Sequence, residues 1–137
     1  MRWVIAITAL AIFLTGCAKA PEAVVPQYVS PLQYQHYDCD QLAEEISRNE
    51  IAIAEASQQQ RRARNNDIIG VILIGLPVSS LSGSNVADYL GRLKGERDTL
   101  ATVATEQRCG LNVMPADEII EANTPVEQVE EEEYIVD

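Results

Sequence analysis

Two helix-forming segments of similar length flank a single apolar stretch, and each carries a cysteine at its far end. The stretch runs Asp67-Ile-Ile-Gly-Val-Ile-Leu-Ile-Gly-Leu-Pro-Val-Ser-Ser-Leu81. Before it, residues 42–66 contain no Gly or Pro and are rich in Ala, Glu, Gln and Arg, all strong helix formers. Leu42, Ile46, Asn49, Ile53, Ala56, Gln60 and Ala63 recur at spacings of three and four, a coiled-coil-like stripe with two polar interruptions. After the stretch, Val86, Leu90, Leu93, Arg97, Leu100, Ala104 and Gln107 repeat the pattern, with Tyr89 and Val103 widening the face. Asp38 with Gln41 offers an N-cap for the first helix, and Ser84 or Asn85 for the second. Gly110 and Pro115 mark the second helix's end. Each helix, from about Asp40 and from about Asn85, is expected to span about 40 Å at 1.5 Å per residue. The fold class is all-α: an antiparallel, coiled-coil-like helical hairpin over residues 38–110, with its apolar apex at residues 68–81.

Antiparallel packing brings Cys39 and Cys109 together at the open end of this hairpin. In an oxidising compartment they are expected to form an intramolecular disulfide; free thiols or an intermolecular bridge are the alternatives. Closing such a loop contributes about 4 kcal/mol in the chain-entropy account. The folded part is only about 70 residues, a size at which one core is marginal and a staple is expected.

The third cysteine concerns location. Met1-Arg2 is a short positive start, and residues 3–14 are an apolar run too short to span a bilayer. The run ends in Leu14-Thr15-Gly16-Cys17, which resembles the lipobox of bacterial lipoproteins. That resemblance implies a signal peptide over residues 1–16, cleavage before Cys17, and acyl chains (diacylglycerol, palmitate) on Cys17. Ala18 at the next position implies, by the lipoprotein sorting rule, the outer membrane facing the periplasm.

Residues 17–37 contain Pro21, Pro26 and Pro31, a spacing that blocks helix and predicts an extended, flexible tether. Tyr28, Tyr34 and Tyr37 are expected to be incidental to this spacer, the alternative being that they pack on the domain or contact a partner, and His36, the only histidine, is expected to be a solvated tether residue. Residues 111–137 are expected to be a disordered acidic tail. The formal charge of -11 is concentrated there: residues 110–137 hold nine acids and no base, against eleven acids and eight bases over residues 38–109. This balance argues against nucleic acid and against electrostatic binding to anionic lipid.

The apex leaves three readings open. Its candidate interaction residues are Ile68, Ile69, Val71, Ile72, Leu73, Ile74 and Leu76. They fold back onto the hairpin, meet a partner or a second copy, or dip into a membrane. As a helix, residues 68–81 reach only about 21 Å, short of the ~30 Å hydrocarbon core, so a transmembrane span is not expected. Exposure would mark an interaction site.

Tyr37-Asp-Cys-Asp-Gln-Leu-Ala-Glu-Glu45, the polar helix, the apolar patch, Arg92-Leu-Lys-Gly-Glu96 and Cys109 together resemble an uncharacterised family of small bacterial lipoproteins. The resemblance covers about residues 37–109 and implies a lipobox and a two-cysteine helical hairpin; the longer acidic tail departs from it. It implies no catalytic residue. The residues themselves show no nucleophile–base set, redox motif, phosphate loop or metal-ligand cluster. Glu45, Glu50 and Glu96 could be brought together by the hairpin, but each is expected to be a solvated helix residue. No enzyme activity, cofactor, metal or small-molecule substrate is expected. The expected function is that of a lipid-anchored envelope protein. It presents its hairpin to an envelope protein or to itself, with the membrane held through the Cys17 acyl chains. The alternative is a membrane-active lipoprotein, of phage lysis or exclusion type, acting through the apex.

Overall fold

The first helix begins on a complete capping box. The Asp38 carboxylate accepts from the Gln41 amide (2.8 Å), and the Gln41 side chain accepts from the Asp38 amide (3.0 Å). The computed structural model describes residues 17–125; the expected leader at residues 1–16 and the Glu130–Glu133 block lie outside the described residues. Helix α1 runs Cys39–Ile74, α2 Val78–Ser82, α3 Ala87–Glu106 and α4 Ala116–Ala122, with 3-10 turns at Pro21–Ala23 and Pro31–Gln33. The architecture is therefore all-helical, with α1 and α3 as the antiparallel hairpin.

The two long helices are not equal. At 1.5 Å per residue, the 36 residues of α1 span about 54 Å and the 20 of α3 about 30 Å. Helix α1 continues through the expected apex and stops only at Gly75, whose left-handed backbone (φ 74°) turns its N–H onto the Val71 carbonyl. Helix α2 then turns back along α1.

All seven residues of the first expected stripe are buried. Four of them, Leu42, Ile46, Ile53 and Ala56, divide between two apolar clusters. One joins Ile53, Ala56, Leu90 and Leu93 to Val24, Ile119 and Ile120. The other joins Leu42, Ile46, Leu100, Val103 and Ala104 to Tyr34. Tyr89, expected on the inner face, is exposed.

Val24 and Tyr34 come from the expected tether, and Ile119 and Ile120 from the expected tail. Both expectations are corrected here. Residues 18–37 lie along the hairpin: the Gln27 amide donates to the Gly91 carbonyl (2.8 Å), and Thr99 donates to the Val29 carbonyl (2.9 Å). Gly91 and Gly95, one turn apart on α3, form the trough. A Cβ on Gly95 would stand 1.7 Å from the Gln27 carbonyl oxygen, so only glycine admits the segment. Gly95 thus accommodates this segment. In the expected tail, residues 111–125 are part of the domain, with α4 sealing the first cluster.

Two buried cations on α3 tie these layers together. Lys94 donates to the Val24 carbonyl (3.0 Å) and to Asp117 of α4 (2.9 Å). Arg97 donates to the Ile46 carbonyl of α1 (2.8 Å) and the Met114 carbonyl (2.7 Å), and its charge faces Glu50 at 3.5 Å. Buried charges persist only when their donors are satisfied, and here backbone carbonyls of three different segments satisfy them. Asn49, one of the stripe's polar interruptions, donates to the Leu93 carbonyl (3.1 Å) and so links α1 to α3.

The open end is closed by the Cys39–Cys109 disulfide, with Cα atoms 5.4 Å apart. It joins the first residue of α1 to the turn after α3. That turn is a Schellman arrangement: Cys109 N–H donates to Ala104 O and Arg108 N–H to Thr105 O, both 3.0 Å. The left-handed position is occupied by Arg108 (φ 58°), two residues before the expected Gly110, which is itself left-handed (φ 66°).

Two substitutions should shift stability in opposite directions. Gly95→Ala forces the Gln27 backbone out of its trough and is expected to cost about 2 kcal/mol. Arg108→Gly relieves an L-residue of the left-handed conformation and is expected to stabilise by about 1 kcal/mol. Urea midpoints of the two variants measure both.

Candidate functional site

The site is the apex, and a buried carboxylate organises it. Asp67 lies on α1 immediately before the apolar run and is fully buried. Its Oδ1 accepts from the Ser79 amide (2.6 Å), and its Oδ2 accepts from the Ser79 hydroxyl (2.5 Å) and the Ala18 amide (2.8 Å). Helix α2 starts after Pro77 and has no side-chain cap of its own, so Asp67 satisfies one of its free amides from across the turn. The same carboxylate holds the chain at Ala18. Gln60 adds a second clamp one level down: its amide group donates to Lys19 O (2.9 Å) and accepts from Val86 N (2.8 Å).

Burial by itself would raise the Asp67 carboxyl above 3.8. The Ser79 hydroxyl, the Ser79 amide and the Ala18 amide outweigh that effect and hold it below 3.8, so it stays ionised.

Cys17, the expected lipidation residue, is exposed and adjoins the latched Ala18. One residue beyond Asp67 on α1 begins the apolar run. Of the three readings of the apex, packing onto the hairpin is realised only in part. Helix α2 crosses α1 at Gly70, where a Cβ would meet the Leu76 carbonyl oxygen at 2.7 Å and Val78 at 3.0 Å. Ile68, Ile69, Val71, Ile72, Leu73, Ile74 and Leu76 remain substantially exposed, from 39% at Val71 to 76% at Ile72. They surround the end of the helix and do not form one stripe. No helix among the described residues is long and apolar enough to cross a membrane.

Below this tip lie three exposed bases, with the exposed acid Asp88 nearby at the start of α3. Arg62 and Arg64 on α1 and Lys19 beside the latch are exposed, whereas Arg61 is engaged with Glu22 (2.6 Å) and the Ile120 carbonyl (2.9 Å). Between Gln60 and Ala87 the one acid is Asp67, which is buried. Next to the apolar end of an acidic chain, Arg62, Arg64 and Lys19 thus outnumber the exposed acid Asp88.

The remaining sequence candidates are dispersed. Tyr34 is buried and meets Tyr37 edge-on at 5.6 Å, while Tyr28 is exposed; His36 is exposed and stacks edge-on to Tyr37 at 4.8 Å. Glu50 faces Arg97, Glu96 pairs with Arg92 and Glu45 lies 4.0 Å from Arg48. Among the described residues no three His, Cys, Asp or Glu side chains are grouped to hold a metal ion. Sequence reasoning missed Asp67 and Ser79. The available sign was an acid at the border of an apolar run, with serines following a proline twelve residues on.

No protein-family model matches the chain, and no curated protein and no solved structure is significantly similar to it.

The latch should respond to pH. A carboxyl held lower in the folded than in the unfolded chain stabilises the fold above its ordinary value of 3.8. The contribution is lost as pH falls from there through the lower folded value. Asp67→Asn should cost about 2 kcal/mol at neutral pH, the scale of a hydrogen-bonded buried charge, and should lose this part of the acid dependence. Urea melts of both proteins from neutral to acid pH measure the difference.

Proposed function

We propose that this chain is a non-enzymatic, lipid-anchored lipoprotein of the cell envelope, carried on the outer membrane and facing the periplasm. It presents its disulfide-clamped hairpin to a protein partner. The observation that carries this reading is the placement of Cys17: exposed, at the end of the lipobox-like Leu14-Thr-Gly-Cys17, and one residue from a buried latch. A disulfide between Cys39 and Cys109 fits an oxidising compartment. The partner surface is best sought on the body of the hairpin. There Val25, Tyr28 and Leu32 stand exposed along the N-terminal segment, beside a shallow groove against Gly95 and Thr99.

Metabolic labelling with a palmitate analogue tests the anchor. The wild type should be labelled and sediment with membranes; Cys17→Ser should be unlabelled. An unlabelled, freely soluble wild type contradicts the reading.

The second reading, a membrane-active lipoprotein, draws on the exposed apolar apex. It requires that overproduction lyse cells and that Ile72→Asp abolish the lysis. The anchoring reading expects intact cells in both cases, scored by release of a periplasmic marker.

A further inference from the structure

We infer that the apolar end of α1 seats end-on in the lipid leaflet that holds the Cys17 acyl chains, with Arg62, Arg64 and Lys19 at the level of its headgroups. This rests on the reading of Cys17 as lipidated. Three features of the structure lead to it.

The first is geometry. The Ala18 amide is bonded to Asp67, so Cys17 stands within one residue of the α1 backbone at that level. No slack separates an acyl chain on Cys17 from the apex. From Asp67 to Ile74 the helix advances about 10 Å at 1.5 Å per residue. With Cys17 at the membrane surface and α1 upright, the tip projects that far into the leaflet. Interfacial helices bury their apolar groups to about 5–10 Å, a matching depth.

The second is the form of the apolar surface. Ile69, Ile72, Leu73 and Ile74 are more than half exposed and surround the helix end. A partner helix would be met by one stripe, whereas a helix end apolar on every side that α2 leaves open suits a uniformly apolar medium. The left-handed turn at Gly75 and the return of α2 blunt the tip, so it enters one leaflet and does not cross it.

The third is charge. Arg64 and Arg62 lie three and five residues before Asp67, about 5–8 Å back along the axis. Their long side chains reach toward phosphate while their stems remain against apolar surface. Glu22, the acid that faces this region from the N-terminal segment, is taken up by Arg61. Asp88, at the start of α3, is a further exposed acid at this level, and Arg62, Arg64 and Lys19 outnumber it, so this collar of charges is net cationic although the chain as a whole is strongly anionic, and it suits the phosphates of an anionic leaflet.

The test uses the mature protein purified from membranes and reconstituted in vesicles of phosphatidylethanolamine and phosphatidylglycerol. Single cysteines are introduced as Ile72→Cys at the tip and Glu106→Cys near the disulfide end. Each carries an environment-sensitive fluorophore and is challenged with a lipid-borne quencher. Both positions are exposed, so the labels leave the packing untouched. Quenching at position 72 should exceed that at position 106 several-fold, with a blue-shifted emission at 72 alone. Equal, weak quenching in protein whose N-terminal peptide carries acyl chains overturns the seating and leaves the anchor standing. An unacylated N-terminal peptide overturns both. Disulfide-linked dimers through unlabelled position 72 in the same vesicles assign the tip to a second copy, and also overturn the seating.

Discussion

The buried carboxylate of Asp67 joins three parts of the chain that lie far apart in sequence: the end of α1, the start of α2 and the backbone just after Cys17. A carboxylate removed from water needs its oxygens satisfied, and two amides and one hydroxyl do so here. The chain that follows Cys17 is therefore fixed at the apolar end of the hairpin, opposite the disulfide. From that placement come the orientation proposed for the molecule and the neighbourhood of its exposed apolar residues.

Elsewhere the same device recurs. The hairpin alone offers a narrow core, and its inner face is interrupted by Asn49, Gln60, Lys94 and Arg97. Each of these sends a side-chain donor to a backbone carbonyl on another segment. The polar interruptions are the means by which two extended stretches and a short helix are bound onto two long helices. Apolar groups from those additions, such as Val24, Tyr34, Ile119 and Ile120, complete the two clusters. The disulfide secures the end remote from the latch; closing its loop of about 70 residues contributes about 4 kcal/mol in the chain-entropy account.

Much of the hairpin is legible in the sequence because a helix has one strong period. The stripe from Leu42 to Ala63, the capping box at Asp38 and the pairing of Cys39 with Cys109 all follow from local pattern and spacing. What escapes local pattern is decided by distant contacts. The pattern of residues 42–66 does not say where α1 ends; the helix continues to Ile74, and its Asp67 finds its partners on α2 and Ala18. The proline-spaced segment has no periodicity, and it packs through its backbone onto Gly91 and Gly95, whose spacing of four is the one visible trace. Ile119 and Ile120 lie among acids and read as tail; their burial depends on the cover of α1 and α3, and Lys94 holds Asp117 of the same helix. Of the site, the apolar residues and Cys17 are legible singly. Their adjacency is not, because it is carried by long-range hydrogen bonds at Asp67 and Gln60.

Hydrogen exchange over residues 18–29 of the mature protein tests that adjacency most directly. If the segment is latched at Asp67 and laid in the glycine trough, the amides of Ala18 and Gln27 exchange slowly, and Asp67→Ala releases the first of them. Exchange at the rate of an unstructured chain throughout residues 18–29 in the wild type would show a free tether. It would remove the physical link between Cys17, the proposed anchor, and the apolar apex.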